Sequence, residues 1–283
     1  MQSWQNPAFW LVFILLPLNW GMEARKWQLL MRPLERLSFI TAFKSVLAGC
    51  SVTMLTPNRI GEYGGRIIYV KEENRLDAIP LTILGSVSQL FITLLMGTVG
   101  LAILKYYKGD QQIFQFLPSY AGDVLFFLSI GASAFFLLIY LRAGLIVKLL
   151  GRIKRLKKFV DHIILLKTFS RKQLLRILSL SFFRYMVFIL QYILLLKVMH
   201  VEIGFVMCFW LLTIFYLIMA MAPTIGFTEL PVRAAAIVEI LQPFDSNLLG
   251  MQAAALGIWL INLVVPAVVG SILFLGIKIM KEK

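Results

Sequence analysis

The sequence predicts an all-α, polytopic transmembrane helix bundle with two oppositely oriented re-entrant hairpins that together form an inverted repeat. Three observations predict it. Hydrophobic residues make up 60% of the 283-residue chain and charged residues only 15%, well below the roughly 25% charge of an ordinary globular domain. Apolar runs recur that suffice for a hydrocarbon layer of about 30 Å, which takes about 20 helical residues. Two of the runs stop at a proline and are followed by Gly, Glu and Arg. A soluble core has no room for so much apolar surface, so residues 1–283 read as a single integral membrane domain.

The elements follow in order. Phe9–Met22 is the first run; Met1–Ala8 before it has no charged side chain, and Arg25, Lys26, Arg32 and Arg36 follow it. The excess of Lys and Arg in cytoplasmic loops then places the N-terminus outside. Phe39–Leu55 stops at Thr56-Pro57, because the residue before a proline is biased away from helix. It enters and returns on the cytoplasmic side, unless it is a full span with a different loop assignment. Ile79–Leu104 runs outward, the poorly basic 105–123 loop lies outside, and Val124–Leu141 returns. Residues 142–176 form a basic, amphipathic cytoplasmic loop, in which Gly144–Arg176 holds ten Lys and Arg against one acid, Asp161. Leu174–Val198 leaves again. Ile203–Ala222, broken at Pro223, and Ala234–Leu241 enter and return from outside. Leu248–Ile277 brings Lys278, Lys281 and Lys283, and the C-terminus, to the cytoplasm.

The formal charge of +14 follows from this topology and needs no polyanion; no basic stretch interleaved with aromatics forms a nucleic-acid module, so no nucleic acid is expected. Cys50 and Cys208 sit in apolar runs without a CxxC, as packing residues. His162 and His200 lack the carboxylate or thiol company of a zinc site. No metal and no cofactor are expected.

The informative residues follow the two breaks: Pro57-Asn-Arg59-Ile-Gly61-Glu62-Tyr63-Gly-Gly-Arg66 and Pro223-Thr-Ile-Gly226-Phe-Thr-Glu229-Leu-Pro231-Val-Arg233. Glu62 and Arg66 are four apart, as are Glu229 and Arg233, which puts each pair on one helical face. Ionisable side chains at membrane depth cost about 2.5–3.5 kcal/mol each on insertion scales, so a chain keeps them to pair, to line an aqueous cavity or to touch substrate. Interrupted apolar segments at corresponding places in two halves are the sequence pattern of inverted-repeat transporters. The same spacing also serves purely structural ion pairs that hold the hairpins closed, and Arg59, Arg66 and Arg75 also fit cytoplasmic anchors.

Asn262, Gln89 and Gln191 fit helix packing as readily as ligand contact. The Leu145–Phe169 segment fits the cytoplasmic leaflet and its anionic lipid head groups. No convincing Gly-x-x-x-Gly, GxSxG, HExxH or P-loop appears.

At these residues the chain resembles the membrane region of lysylphosphatidylglycerol synthases, a family that includes stand-alone flippase-like proteins. The resemblance runs from about Ala24 to Ile277. Its landmarks are Arg25-Lys26-Trp27, where the family tends to Arg-Trp, Pro57 to Arg66, which is similar to its PxRxGE…R motif, and Pro223 to Ala235, which is similar to its Gly- and Glu-rich second motif. The chain departs in starting with one helix fewer than is usual, in having one Gly (Gly226) where relatives often have several, and in placing Pro231 between Glu229 and Arg233.

The resemblance implies movement of a phospholipid or lipid-linked head group between leaflets of the cell membrane. Only a short basic tail follows Ile277, so synthesis is not expected. Arg59, Glu62, Arg66, Glu229 and Arg233 are expected to line the path, the arginines for phosphate and the glutamates to align them or meet a cationic head group. Two other readings stay open: a membrane transferase acting on a polyprenyl-linked sugar, with Glu62 or Asp77 as its acid or base, and a non-transporting scaffold for another enzyme. Oligomerisation is compatible with all three.

Overall fold

The computed structural model describes residues 5–54, 56, 60–108, 120–142, 162–222 and 228–281, and every element described is helical. Helix α1 spans Pro7–Met31, capped by the Asn6 side chain, which accepts from the Ala8 N–H at 3.0 Å. It runs on past the predicted end at Met22. Glu23, Arg25 and Lys26 are helix-compatible residues, and the next breaker is Pro33, so charge ends the apolar run without ending the helix.

Helix α2 (Phe39–Thr53) is capped by Ser38, and the short α3 (Gly61–Ile67) lies beyond the first break. Helix α4 covers Arg75–Lys108 and α5 Ala121–Leu141. Helix α6 (Arg171–Val198) opens on a reciprocal capping box between Ser170 and Gln173, which satisfies two otherwise unpaired N–H groups. Helices α7 (Phe205–Met221) and α8 (Glu229–Leu241) flank the second break. The last stretch runs as α9 (Leu248–Trp259), a π turn (Leu260–Val264) and α10 (Val265–Lys281). Pro266 has no N–H for the Asn262 carbonyl one turn back, and the helix widens there instead of breaking.

Five helical stretches among the described residues are long and apolar enough to cross a membrane: Pro7–Met31, Glu72–Lys105, Ala121–Leu141, Arg171–Val198 and Leu248–Leu275. Helices α2 and α7, at 15 and 17 residues, reach only about 22 and 25 Å at 1.5 Å per residue, short of the hydrocarbon thickness. These are the five long runs and two interrupted ones expected from sequence.

Helices α2 and α3 form an antiparallel hairpin: Ser45 Oγ donates to the Arg66 carbonyl at 2.8 Å, and a Cβ on Gly65 would lie 2.4 Å from the Ala48 carbonyl oxygen. Gly61 and Gly65 thus work as a close-packing Gly-x-x-x-Gly, which the sequence reading discounted; the partner is the chain's own α2 rather than a second molecule. Helices α1 and α6, each preceding a hairpin, pack on one another. Helix α4, which follows the first hairpin, packs on α7 of the second, and α10, at the end of the second half, packs on α2 of the first. Two hydrophobic cores result: one gathers α4, α6, α7, α8 and α9 around Tyr192, Leu211, Phe215 and Ile237. The other gathers α1, α2, α4 and α6 around Trp27, Val46, Leu81 and Ile177.

Candidate functional site

The second core contains charge. Asn19, Trp20, Glu23, Lys26 and Trp27 are all buried, and their spacing places them on one face of α1. Glu23 is the hub. Its carboxylate oxygens lie 2.8 Å from Lys26 Nζ, 2.7 Å from an Arg66 Nη and 3.2 Å from an Arg184 Nη. Thus α1, α3 and α6 meet through a single carboxylate. Arg66 is also paired with Glu62 one turn before it, and its backbone is fixed by Ser45 on α2.

Polar neighbours extend the cluster. Lys26 Nζ also donates to the Gly85 carbonyl at 3.3 Å and to Ser181 Oγ at 3.4 Å. Arg184 Nε donates to Asn19 Oδ1 at 2.8 Å and an Nη to Gln89 Oε1 at 3.4 Å. Asn19 in turn donates to Asn262 Oδ1 at 3.4 Å, which brings the π turn of the last helix into the cluster. The arginines lie over aromatic faces: Arg66 is 5.4 Å from the Trp27 ring, and Arg184 is 5.2 Å from Trp20 and 5.0 Å from Phe188. Such stacking favours guanidinium over ammonium in a desolvated setting.

The second hairpin carries a simpler arrangement. Glu229 and Arg233 form a buried ion pair at the start of α8, and the Arg233 guanidinium lies 5.5 Å from the Phe215 ring. Tyr192 and Tyr216 pack edge-on against that ring. Pro231 does not disturb the pair, because it falls in the first helical turn, where its missing N–H has no intrahelical acceptor.

The family model for the lysylphosphatidylglycerol synthase TM region matches residues 1–270. The chain belongs to this family. No curated protein and no solved structure matches it. It is therefore a multi-pass membrane protein of a lipid-related family; Glu23, Lys26 and Arg184 lie on two of its long apolar helices, and Glu62, Arg66, Glu229 and Arg233 on the short helices α3 and α8.

In this lysylphosphatidylglycerol synthase TM-region protein, the expected residues divide as follows. Glu62 and Arg66 are paired and belong to the α1 cluster; Glu229 and Arg233 are paired in the separate setting beside the α6–α7 aromatics. Arg59 lies outside the described residues, as does 143–161 of the basic loop. Asp77 is paired with His162. Gln89 and Asn262 join the cluster, whereas Gln191 donates to the Val12 carbonyl at 2.9 Å, a helix-packing contact.

The sequence reading missed Glu23 and Arg184, and it assigned Lys26 to a cytoplasmic loop, where the structure buries it in α1. Signals existed: Arg184 interrupts the long apolar run 174–198, and Glu23-x-x-Lys26 has helical pairing distance. An apolar concavity of about 750 Å³ along α5, lined by residues such as Phe127, Leu128 and Phe135, shares no lining residue with these charges and has the character of a lipid-facing surface.

Proposed function

We propose that this protein is a flippase-like translocator that carries a phospholipid or lipid-linked head group between leaflets. The observation that carries the proposal is the buried cluster on α1, α3 and α6, in which a hairpin motif of the family meets charges from two long helices. Buried charges of this number are costly unless paired or used. In this reading α2–α3 and α7–α8 are re-entrant hairpins of opposite sense, the N-terminus is outside, and the C-terminus and the 142–176 loop are cytoplasmic, the loop resting on anionic lipid. The exchange of partners between halves, α4 on α7 and α10 on α2, supports an inverted repeat whose halves open alternately. Arg66 and Arg233, aligned by Glu62 and Glu229, take the lipid phosphate in turn, with Arg59 beside the first break. A transferase has less support, since Glu62 is engaged by Arg66 and Asp77 by His162.

Leaflet-resolved scrambling in proteoliposomes tests the proposal. Wild type is expected to move labelled phospholipid, and Arg66→Ala and Arg233→Ala, verified as inserted, to fall to the rate of empty liposomes. Wild-type protein that moves no anionic or aminoacylated lipid, or variants that match wild type, would sink it.

A further inference from the structure

Counting charge around Glu23 gives an imbalance: Lys26, Arg66 and Arg184 stand against Glu23 and Glu62 among the described residues. Glu62 is the weaker counter-ion, 23% exposed where the other four side chains are at most 9%. One uncompensated cation in a low-dielectric interior is expensive. Of the three cations only Lys26 can shed its charge. A guanidinium keeps its proton, and protonating Glu23 would deepen the imbalance, whereas an ammonium that loses a proton leaves two charges against two.

The surroundings of Lys26 Nζ suit both forms of the amine. An ammonium has three N–H groups, and three acceptors meet it: Glu23 Oε2 at 2.8 Å, the Gly85 carbonyl at 3.3 Å and Ser181 Oγ at 3.4 Å. A neutral amine has two N–H groups and a lone pair, so one neighbour must turn from acceptor to donor. A carboxylate and a carbonyl cannot do this; the Ser181 hydroxyl can, by rotating its hydrogen. Ser181 Oγ lies 2.8 Å from Ser88 Oγ, which itself donates to the Gly85 carbonyl at 2.6 Å. Ser88 therefore accepts the Ser181 hydrogen while Ser181 receives from the ammonium, and no group is left unmatched when that hydrogen turns to the amine. Both serines are fully buried, so the exchange of roles needs no water. The charged groups acting on Nζ are Glu23 of its own helix, Arg66 of α3 and Arg184 of α6. Glu62 and Cys50 act on Arg66, and α4 contributes only the uncharged Gly85 and Ser88.

We infer that Lys26 is a proton-exchange site: its ammonium releases one proton when the cluster is empty and regains one when a negative charge enters. The N–H electron pair stays on nitrogen and the proton leaves to bulk water. As a coupling site this rests on the flippase reading, in which the proton and an anionic cargo cross together and the pair carries no net charge. The proton site itself stands without that reading, and its test reads protons alone.

The full chain, with Lys26→Met and Lys26→Arg, is unfolded thermally in neutral detergent between pH 7.5 and 9.5. Unfolding exposes an ordinary lysine, which holds its proton up to about pH 10.4. The folded amine holds none, so the unfolded state binds one proton more and stability rises with pH across the window. Wild-type Tm is expected to climb relative to either variant by about 3–5 °C per pH unit, the slope of a single proton. The other lysines whose burial is described are exposed, so they titrate alike in both states and cancel. Profiles that stay parallel within about 1 °C over the window overturn the inference. Either variant suffices for the comparison. If neither folds, calorimetry of wild type at pH 7.5 in buffers of different ionisation enthalpy decides: unfolding should take up about one proton, and no uptake overturns the inference. The expected profile without scrambling upholds the proton site and removes the flippase reading; scrambling with parallel profiles does the reverse.

Discussion

Glu23→Gln is the sharpest perturbation, because it keeps the shape of the side chain and removes the charge that three cations share. Glu23 meets Lys26 at 2.8 Å, Arg66 at 2.7 Å and Arg184 at 3.2 Å; without it only Glu62 remains against them. Breaking a buried ion pair from one side costs about 3–5 kcal/mol, since it strands the other charge. With three partners stranded, the upper part of that range applies, about 4–5 kcal/mol. At roughly 2–4 °C per kcal/mol for a chain above 150 residues, Tm should fall by about 10–15 °C. Tryptophan emission in detergent follows the transition, with Trp20 and Trp27, two of the six tryptophans, flanking the site. The double variant Glu23→Gln/Arg184→Gln should be more stable than Glu23→Gln alone, which is the non-additivity expected of charges in one network. A fall of less than about 3 °C, or additive losses in the double variant, would refute the hub role.

Two further outcomes are expected. Gly65→Ala puts a Cβ 2.4 Å from the Ala48 carbonyl oxygen and 2.6 Å from Gly49 Cα, so it should destabilise by about 2–3 kcal/mol; Gly64→Ala, with nothing within 4 Å, should be neutral or gain about 0.5–1 kcal/mol from helix propensity. Thermal unfolding of the pair checks this, and equal losses would argue against close packing of the hairpin. With Cys50 and Cys208 replaced, a cysteine at Lys172 should react with an impermeant maleimide only from the cytoplasmic side and one at Lys108 only from outside. Reversed labelling would invert the assigned topology.

What the sequence made legible was local. Long apolar runs gave α4, α5 and α6, the prolines at 57 and 223 gave the breaks, and a spacing of four gave the two ion pairs now seen at Glu62–Arg66 and Glu229–Arg233. What stayed hidden depends on distant partners. Glu23 meets Arg66 across 43 positions, and Asn19 meets Arg184 across 165, and no periodicity carries that information. The end of α1 was misplaced for a related reason: hydropathy falls where charge begins, but a helix whose charges are matched by other helices continues through them. Gly61 and Gly65 carry no sign in the sequence of what they pack against, and only the fold shows their Gly-x-x-x-Gly serving a turn-back onto α2 within one chain.

The polar face of α1 has a consequence for biogenesis. Of the five candidate spans, α1 has the lowest mean hydropathy, and its Glu23 and Lys26 each disfavour partitioning into lipid by about 2.5–3.5 kcal/mol near a helix centre. Arg184, the partner on α6, is made later; at about 5–20 residues per second the ribosome needs roughly 8–30 s to travel from Trp27 to Arg184. For that interval α1 is a nascent helix with Lys26 beside Glu23 and Arg66 already made, but without the partner that comes from a second long helix. Integration of α1 is therefore expected to be delayed, with the helix retained beside the insertion machinery until α6 arrives, and ribosome-bound chains truncated before Arg184 should crosslink to that machinery through α1 while longer ones should not.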